Sequence, residues 1–506
     1  MNGTGELPAR CGLGGGPELS GGPELSGEPE LRGGLELSGE PESGESCDHT
    51  GGPAQADLLF INGTVITVDQ RFGLAEAVAV RGDRIIAVGS ADELLSLAGP
   101  GTRLIDLEGG AVLPGINDSH LHASMLGAYW PNCWMDAMAS GEALPEPREL
   151  PDEAARRACL KRAWDVLLPL GITSYTEPGL GPGADHQHGG ACGAAVLDTY
   201  RGLAREGKLP VRVNVLALYG ELDGPCDPDV FAEAVRQLRP DPPTPGRRLR
   251  LAGAKIFADG IPLAGSAWVS EQYLGGGYGE LLLPGEADLE RVSALERMVG
   301  AAHARGLQVG VHATGDASIA ATAGAFASAA ARYGGDPRHY VIHGDLISGR
   351  SLDQLAGCGS GVNTQPAICT ATLPMLARAV GAQRAAAAFP LRSVIDAGVS
   401  LAFSSDGPVT VPDWRLGIVA AVQTPCRLSE TSRSVGRVTL EQAIYAYTQA
   451  GARQDHAEAW KGSIEAGKVA DLCVLDANPL SVDIDQLPEV GIRMTVVGGT
   501  VVYERG

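Results

Sequence analysis

The chain has no Cys-x-x-Cys pair. Its ten cysteines (Cys11, Cys47, Cys133, Cys159, Cys192, Cys226, Cys358, Cys369, Cys426 and Cys473) are scattered. That excludes a zinc-thiolate frame of that spacing and predicts reduced thiols in a cytosolic protein rather than a disulfide scaffold. A basic excess is also missing: 39 Lys and Arg against 61 Asp and Glu leave a net charge of −22. Binding of nucleic acid needs a basic footprint to meet the phosphates, so nucleic acid is excluded as a partner. No uninterrupted apolar run approaches the roughly 20 residues of a membrane span. No basic segment followed by an apolar core opens the chain as a signal peptide would. These absences predict a cytoplasmic protein with no membrane partner.

Aromatic residues are absent from residues 1–56, where a six-residue unit repeats from Gly15 as GGPELS, GGPELS, GEPELR and GGLELS before decaying into GEPESG. Ten acids against two bases give this stretch a charge of −8. With one apolar residue per unit it cannot bury enough surface to offset its ordering entropy, and it is predicted to be a disordered tail.

What is present begins near Asp57. Short β-rich runs separated by Asn-Gly, Gly-Asp and Glu-Gly-Gly turns occupy residues 57–112, and the same texture returns over 463–506. These two ends are predicted to pair into one small β-sandwich domain. Between them, over 113–462, strand-like runs alternate with Ala-rich helical stretches such as LERMVGAAHARG. The runs end at His122, in GITSYTE, in VRVNVLAL, at AGAKIFAD, at LQVGVHA, at HYVIH, at GVNTQP and at VSLAFSSD, eight in all. Eight such units are the arithmetic of a closed (β/α)8 TIM barrel of α/β class. An open doubly wound sheet is the alternative, but no G-x-G-x-x-G follows the first strand.

The polar residues of interest stand at the ends of these runs. His120 and His122 form an H-x-H; in an extended chain positions i and i+2 face the same way, so both can grip one metal. Lys255 lies inside an apolar strand, a costly place for a lysine unless it is paired or modified. His312, His343 and Asp406 close later runs. Each alone reads as a hydrogen-bonded interior residue. Together they are potential ligands at the C-terminal ends of barrel strands, the rim on which barrel enzymes build active sites.

At this point the chain resembles the amidohydrolase superfamily, in the branch of the YtcJ-like proteins and N-substituted formamide deformylases. The matching pieces are VLPGINDSHLH, AKIFADG, VHATGDASI, HYVIHGD, AFSSDGPV and GSIEAGKVADLCVLD, spread over residues 57–506. The resemblance implies two divalent metal ions, with zinc as the expected metal. It implies that His120, His122 and Asp406 bind the more buried ion and His312 and His343 the outer one. Lys255 would bridge the two as a carbamate formed with CO2. It further implies that Asp406 takes a proton from the attacking water and hands it to a leaving nitrogen. The implied activity is hydrolysis of an amide-like C–N bond (N-acyl, N-formyl or cyclic amide) in a small-molecule substrate. A deaminase on the same scaffold, usually mononuclear and without the bridging lysine, is the alternative enzyme. A non-catalytic regulator that kept the fold is the alternative class. Homo-oligomers are common in the family and one is allowed for here.

The chain departs from the usual family pattern at Gly-Ile-Asn-Asp, Ile-His-Gly-Asp and Ser-Ser-Asp-Gly, all where substrate approaches. A second H-x-H, His186 and His188, lies in a Gly-rich stretch and reads as a solvated loop near the site mouth. His303 reads as a surface residue of a helix. His339 opens a strand, at the end remote from the chemistry. Tyr129, Trp130, Trp268 and Tyr273 read equally as pocket lining or core. Specificity is expected in residues 125–150, 179–190, 262–282 and 366–390.

Overall fold

Alternation of apolar residues fixes the two sheets at the chain ends. The protein is described by a computed structural model over residues 55–423 and 437–506, apart from Pro240 and Pro243. The tail reading therefore lies outside the described residues, except for Gln55 and Ala56. Strands β1 (Leu58–Ile61), β2 (Thr64–Ile66), β3 (Leu74–Ala75), β4 (Ala77–Arg81), β5 (Arg84–Gly89), β6 (Arg103–Asp106) and β7 (Ala111–Pro114) come first. The barrel strands follow: β8 (Ile116–Asp118), β9 (Ile172–Leu180), β10 (Arg212–Leu218), β11 (Leu249–Phe257), β12 (Gln308–Ala313), β13 (Tyr340–His343), β14 (Gly361–Thr364) and β15 (Ser400–Phe403). Strands β16 (Leu472–Leu475), β17 (Ile492–Val497) and β18 (Thr500–Glu504) complete the chain.

One sheet has the order β5-β4-β1-β6 and the other β18-β17-β16-β7-β2-β3, so the second joins both chain ends. The pleat sends successive side chains to opposite faces. Val112, Leu472, Val474 and Val496 thus meet Phe60, Val78 and Ile105 of the other sheet in one apolar cluster. Their sequence neighbours Leu113, Cys473 and Leu475 join the core of the barrel. A buried Arg212–Asp471 pair at 2.6 Å ties the base of β10 to this sandwich.

The eight barrel strands run in sequence order, each parallel to the next. All eight strand-like runs of the sequence are strands, and the Ala-rich stretch LERMVGAAHARG lies largely in the helix Asp288–His303. The seam between β15 and β8 is not a regular ladder. It is bridged just beyond the strand ends, where Asp406 N–H donates to His120 O (2.9 Å) and His122 N–H to Gly407 O (2.9 Å). Ser405 N–H also donates to the Asp118 carboxylate at 3.0 Å. Closure and the H-x-H segment therefore share the same hydrogen bonds.

Two sequence readings need correction. Strand β8 ends at Asp118, so His120 and His122 stand beyond it, in a segment held by its neighbours; Leu121 N–H donates to Thr176 O at 2.9 Å. His303 is not on the surface. It is 4% exposed, and its Nδ1 meets His339 Nε2 at 2.9 Å. The seven described cysteines are all free thiols. Among the described residues, no helix is long and apolar enough to cross a membrane.

Candidate metal centre

The C-terminal ends of the barrel strands open into a cavity of about 400 Å3. His120, His122, Lys255, His312, His343 and Asp406 all line it. Ligand atoms of His120, His122 and Asp406 lie within 4.8 Å of one another. Asp406 Oδ1 is 3.2 Å from His120 Nε2 and 3.4 Å from His122 Nε2. The His312 and His343 rings sit side by side with centroids 4.6 Å apart, and His343 is 5.6 Å from His120.

Backbone geometry aims these groups. Asp406 and His343 both have positive φ, 59° and 71°, in the left-handed region that non-glycine residues seldom adopt. Such strain persists where surrounding structure imposes it, and it clusters at functional sites. At Asp406 the imposing contacts are the seam hydrogen bonds already described.

Side-chain hydrogen bonds then choose which ring nitrogen faces the cavity. His343 Nδ1 lies 2.7 Å from Gln365 Oε1. Gln365 is itself fixed, because its amide N–H donates to Asn363 Oδ1 (3.1 Å) and Ser404 Oγ (2.9 Å). Its oxygen therefore accepts from a protonated His343 Nδ1, which leaves Nε2 as the free lone pair. His312 Nε2 donates to Gly260 O at 3.0 Å, leaving Nδ1 free in the same way. His120 Nδ1 is buried without any partner in the protein.

Electrostatics favour the ligand forms of these groups. Burial pushes the imidazoles of His120 and His312 far below their ordinary range, and that of His343 down to about 4. Neutral imidazole is the form that binds a metal. Burial alone would raise Asp406, but the His120 and His122 side chains beside it outweigh burial and hold it well below the carboxylate range. Lys255 is 2% exposed, and burial lowers its amine to about 8 against the opposing pull of Asp406 and Asp223. Among the described residues the ammonium has no hydrogen bond or ion pair; it stands over the Phe257 ring, 4.6 Å from the centroid. The His120 and His122 Nε2 atoms beside a carboxylate, the free lone pairs of His312 and His343 and a partnerless amine form a donor set that fits divalent ions.

A second layer holds the rim. Asp259, at the end of β11, accepts from the N–H groups of Thr314 (3.0 Å), Gly315 (2.9 Å) and Trp268 (3.0 Å). Burial raises this carboxyl to about 6 even against those bonds. The glycine at 315 is required, since a Cβ there would stand 2.0 Å from the Trp268 carbonyl oxygen.

The cavity wall was only partly legible in the sequence. Trp134 and Met138 of the 125–150 stretch line it, as do Leu263 and Ser266 of 262–282 and Ile368 and Leu376 of 366–390. The last stretch is largely helical, Pro366–Val380 and Ala382–Ala386. Asp345, of the Ile-His-Gly-Asp segment, lines it too, as do Leu222 and Asp223, which sequence reasoning passed over. Their one signal was position, just beyond the third barrel strand. Tyr129, Trp130, Trp268 and Tyr273 pack into apolar clusters. Of the second H-x-H, His186 is exposed, whereas His188 packs behind the wall. Its Nδ1 lies 2.8 Å from Tyr129 OH and its ring 5.6 Å from that of Trp134.

With this geometry in view, comparison with known proteins is informative. The chain is 26% identical over 312 residues to a putative amidohydrolase, YtcJ, of Bacillus subtilis, covering 61% of this chain and 55% of that protein. It is 24% identical over 553 residues to the N-substituted formamide deformylase of Arthrobacter pascens, covering 89% and 98%. An uncharacterized metal-dependent hydrolase from Pyrococcus horikoshii superposes with a TM-score of 0.65 at 20% identity, over 85% of this chain and 99% of that one. The pattern that defines the amidohydrolase family matches residues 140–503, well over half of the chain. A closed parallel barrel whose rim gathers this donor set, carried on a sequence with that match, makes the chain a member of the amidohydrolase family.

Proposed function

We propose that this protein is a metal-dependent hydrolase that cleaves an amide-like C–N bond in a small molecule. The observation that carries the reading is the meeting of His120, His122 and Asp406 within 4.8 Å, beside His312, His343 and a buried lysine with no partner. His120, His122 and Asp406 would hold one divalent ion, and His312 and His343 a second; zinc is the metal we expect. Such ions, when bound, polarise a carbonyl and make water nucleophilic at neutral pH.

The chain's own residues then have defined tasks. Lys255, with its amine lowered to about 8, is readily neutral and so nucleophilic. Its Nζ adds to the carbon of CO2, a proton passes from the nitrogen to water, and the resulting carbamate supplies two oxygens that share one negative charge where a bare ammonium would repel cations. Asp406 accepts the proton of the attacking water as the new C–O bond forms. It returns that proton to the nitrogen as the C–N bond breaks, giving a carboxylic acid and an amine. Gln365 and the Gly260 carbonyl keep the His343 and His312 rings oriented.

The test is metal content beside activity. Protein made in zinc-sufficient medium is expected to carry about two divalent ions per chain and to hydrolyse N-formyl or N-acyl amines. Folded protein without bound metal would overturn the reading. So would Lys255→Ala protein with full metal and normal turnover, which would make Lys255 a packing residue only. Partial rescue of Lys255→Ala by added short-chain carboxylates would support the bridging role.

A further inference from the structure

The cavity above the candidate metal centre has apolar walls, including Met125, Trp134, Met138, Leu222, Ile261 and Leu376. At about 400 Å3 it is within the size range of small-molecule sites. Among the described residues that line it, Lys255 is the one lysine, and no arginine is present. A substrate carrying a carboxylate on its non-reacting part would therefore enter without a counter-charge. The protein's net charge of −22 acts in the same direction, drawing cations and repelling anions.

One lining residue is set against this wall in an unusual way. Asp223 sits in the turn between β10 and the helix Pro228–Gln237, with φ at 53°. That is the left-handed region, which aspartate tolerates better than most side chains. Gln187 clamps the turn from across the rim: its Oε1 accepts from Leu222 N–H at 2.9 Å and its Nε2 donates to Leu222 O at 3.3 Å. Asp223 keeps an exposed face on the cavity. Among the described residues its carboxylate accepts no hydrogen bond and makes no ion pair. An unpaired carboxylate at an apolar wall keeps its charge toward the cavity, and a cationic ligand group placed beside it would be attracted to it.

We propose that Asp223 is a specificity-determining residue, which selects amides whose apolar, non-reacting portion ends in a cationic amine and disfavours those ending in a carboxylate. This rests on the hydrolase reading above and names its substrate class. Gln187 is a positioning residue for that selection.

Binding and turnover test it separately, on the metal-loaded full chain. For binding, hexyltrimethylammonium and 1-hexanol share an apolar tail, differ in charge, and lack an anionic metal ligand. The wild type is expected to bind the ammonium about tenfold more tightly than the alcohol, the scale of one moderately screened charge contact. Asp223→Asn should bring that ratio close to one, and Gln187→Ala should lower it by a smaller factor. A melting curve checks that each variant is folded, and Asp223→Ser replaces the Asn variant should that one fail. An unchanged ratio in the Asp223 variants, or no binding of either probe, overturns the proposal.

For turnover, kcat/KM is compared for mono-N-formyl-1,6-diaminohexane, N-formylhexylamine and N-formyl-6-aminohexanoate. The cationic amide should lead and the anionic one trail, and Asp223→Asn should lower the cationic-to-neutral ratio about tenfold. Hydrolysis without charge preference overturns the role of Asp223 while leaving the hydrolase reading intact. An ammonium preference without hydrolysis of any amide supports the cation site and overturns the amide reading.

Discussion

Two lysines are buried in or beside the barrel, and their surroundings differ. Lys461, 4% exposed, donates to Asp455 Oδ2 at 2.6 Å and to Ser174 Oγ at 3.1 Å. Asn117 adds a 2.7 Å bond to the same Asp455 oxygen, so the charge is neutralised and the lone pairs are used. Lys255, 2% exposed, has no such partner. The histidines divide the same way. Away from the cavity, Val309 N–H donates to His339 Nδ1 (3.0 Å), so His339 Nε2–H donates to His303 Nδ1 and His303 Nε2–H to Gly334 O (2.7 Å). At the cavity, His120 Nδ1 has no partner at all. A buried polar group without a partner costs free energy. Lys461 and the His303–His339 pair, away from the cavity, are satisfied internally. At the rim such groups are left short, which is intelligible if ions and substrate complete them.

The contrast can be broken experimentally, and the largest effect should come at the rim. Asp406→Asn keeps the shape of the side chain but cannot shuttle the proton, so turnover of an amide substrate should fall by about a thousandfold or more, in line with lost general-base catalysis. Metal content measured on the same sample should largely remain. Next comes the pair of lysines. Lys461→Ala leaves Asp455 as an uncompensated buried charge and should lower unfolding free energy by about 3–5 kcal/mol. Lys255→Met, in metal-free protein, removes a partnerless amine and should cost far less or stabilise. Urea unfolding of both variants, stripped of metal, decides this; equal losses would erase the distinction between the two ends.

A smaller effect is expected where one end reaches toward the other. Gln365→Ala removes the bond that orients His343 and should weaken metal affinity by about 10–100-fold, as loss of such outer contacts typically does. Competition with a chelator measures it, and an unchanged affinity would mean the ring is held by packing alone. The smallest effect is a pH slope. Burial, with His303 nearby, lowers His339 to about 3 from its ordinary value of 6.5. Between these values the unfolded chain takes up a proton at this residue that the folded chain does not. Its contribution to stability is therefore complete above about pH 6.5 and lost as pH falls toward 3. His339→Asn keeps an acceptor for Val309 N–H and should flatten that part of the stability profile; identical slopes in both proteins would show that the histidine pair is not its source.

How far the sequence reached follows from the range of the forces involved. The eight strands were legible because each is a short apolar run bounded by turn residues, and burial in a parallel barrel needs little more than that. The six cavity residues were legible because each lies in or just beyond the C-terminal part of such a run. The exact end of β8 was not: His120 and His122 are held by Thr176, Gly407 and the seam with Asp406, contacts across 50 to almost 290 positions of chain. His303 was misread for a related reason. It closes its helix, and the groups that cover it, Gly334 and His339, lie more than 30 positions further along the chain. Asp223 and Trp134 carry no local pattern that separates them from other loop residues.

The sequence by itself determined the periodicities, and through them the parallel barrel and the sandwich that both ends share, because which residues seek burial is a property of each short segment. It also placed a histidine, lysine or aspartate at or near the ends of particular strands. Only the tertiary structure decided which of these side chains would be paired. Lys461 finds Asp455 across one turn of chain and Asn117 from far away, whereas Lys255, on a strand walled by its neighbours, finds none. The physical reason is that pairing depends on distance and direction between groups far apart in sequence, which the closure of the barrel sets all at once: Asp406 comes within 3.2 Å of His120 because the last strand returns to the first.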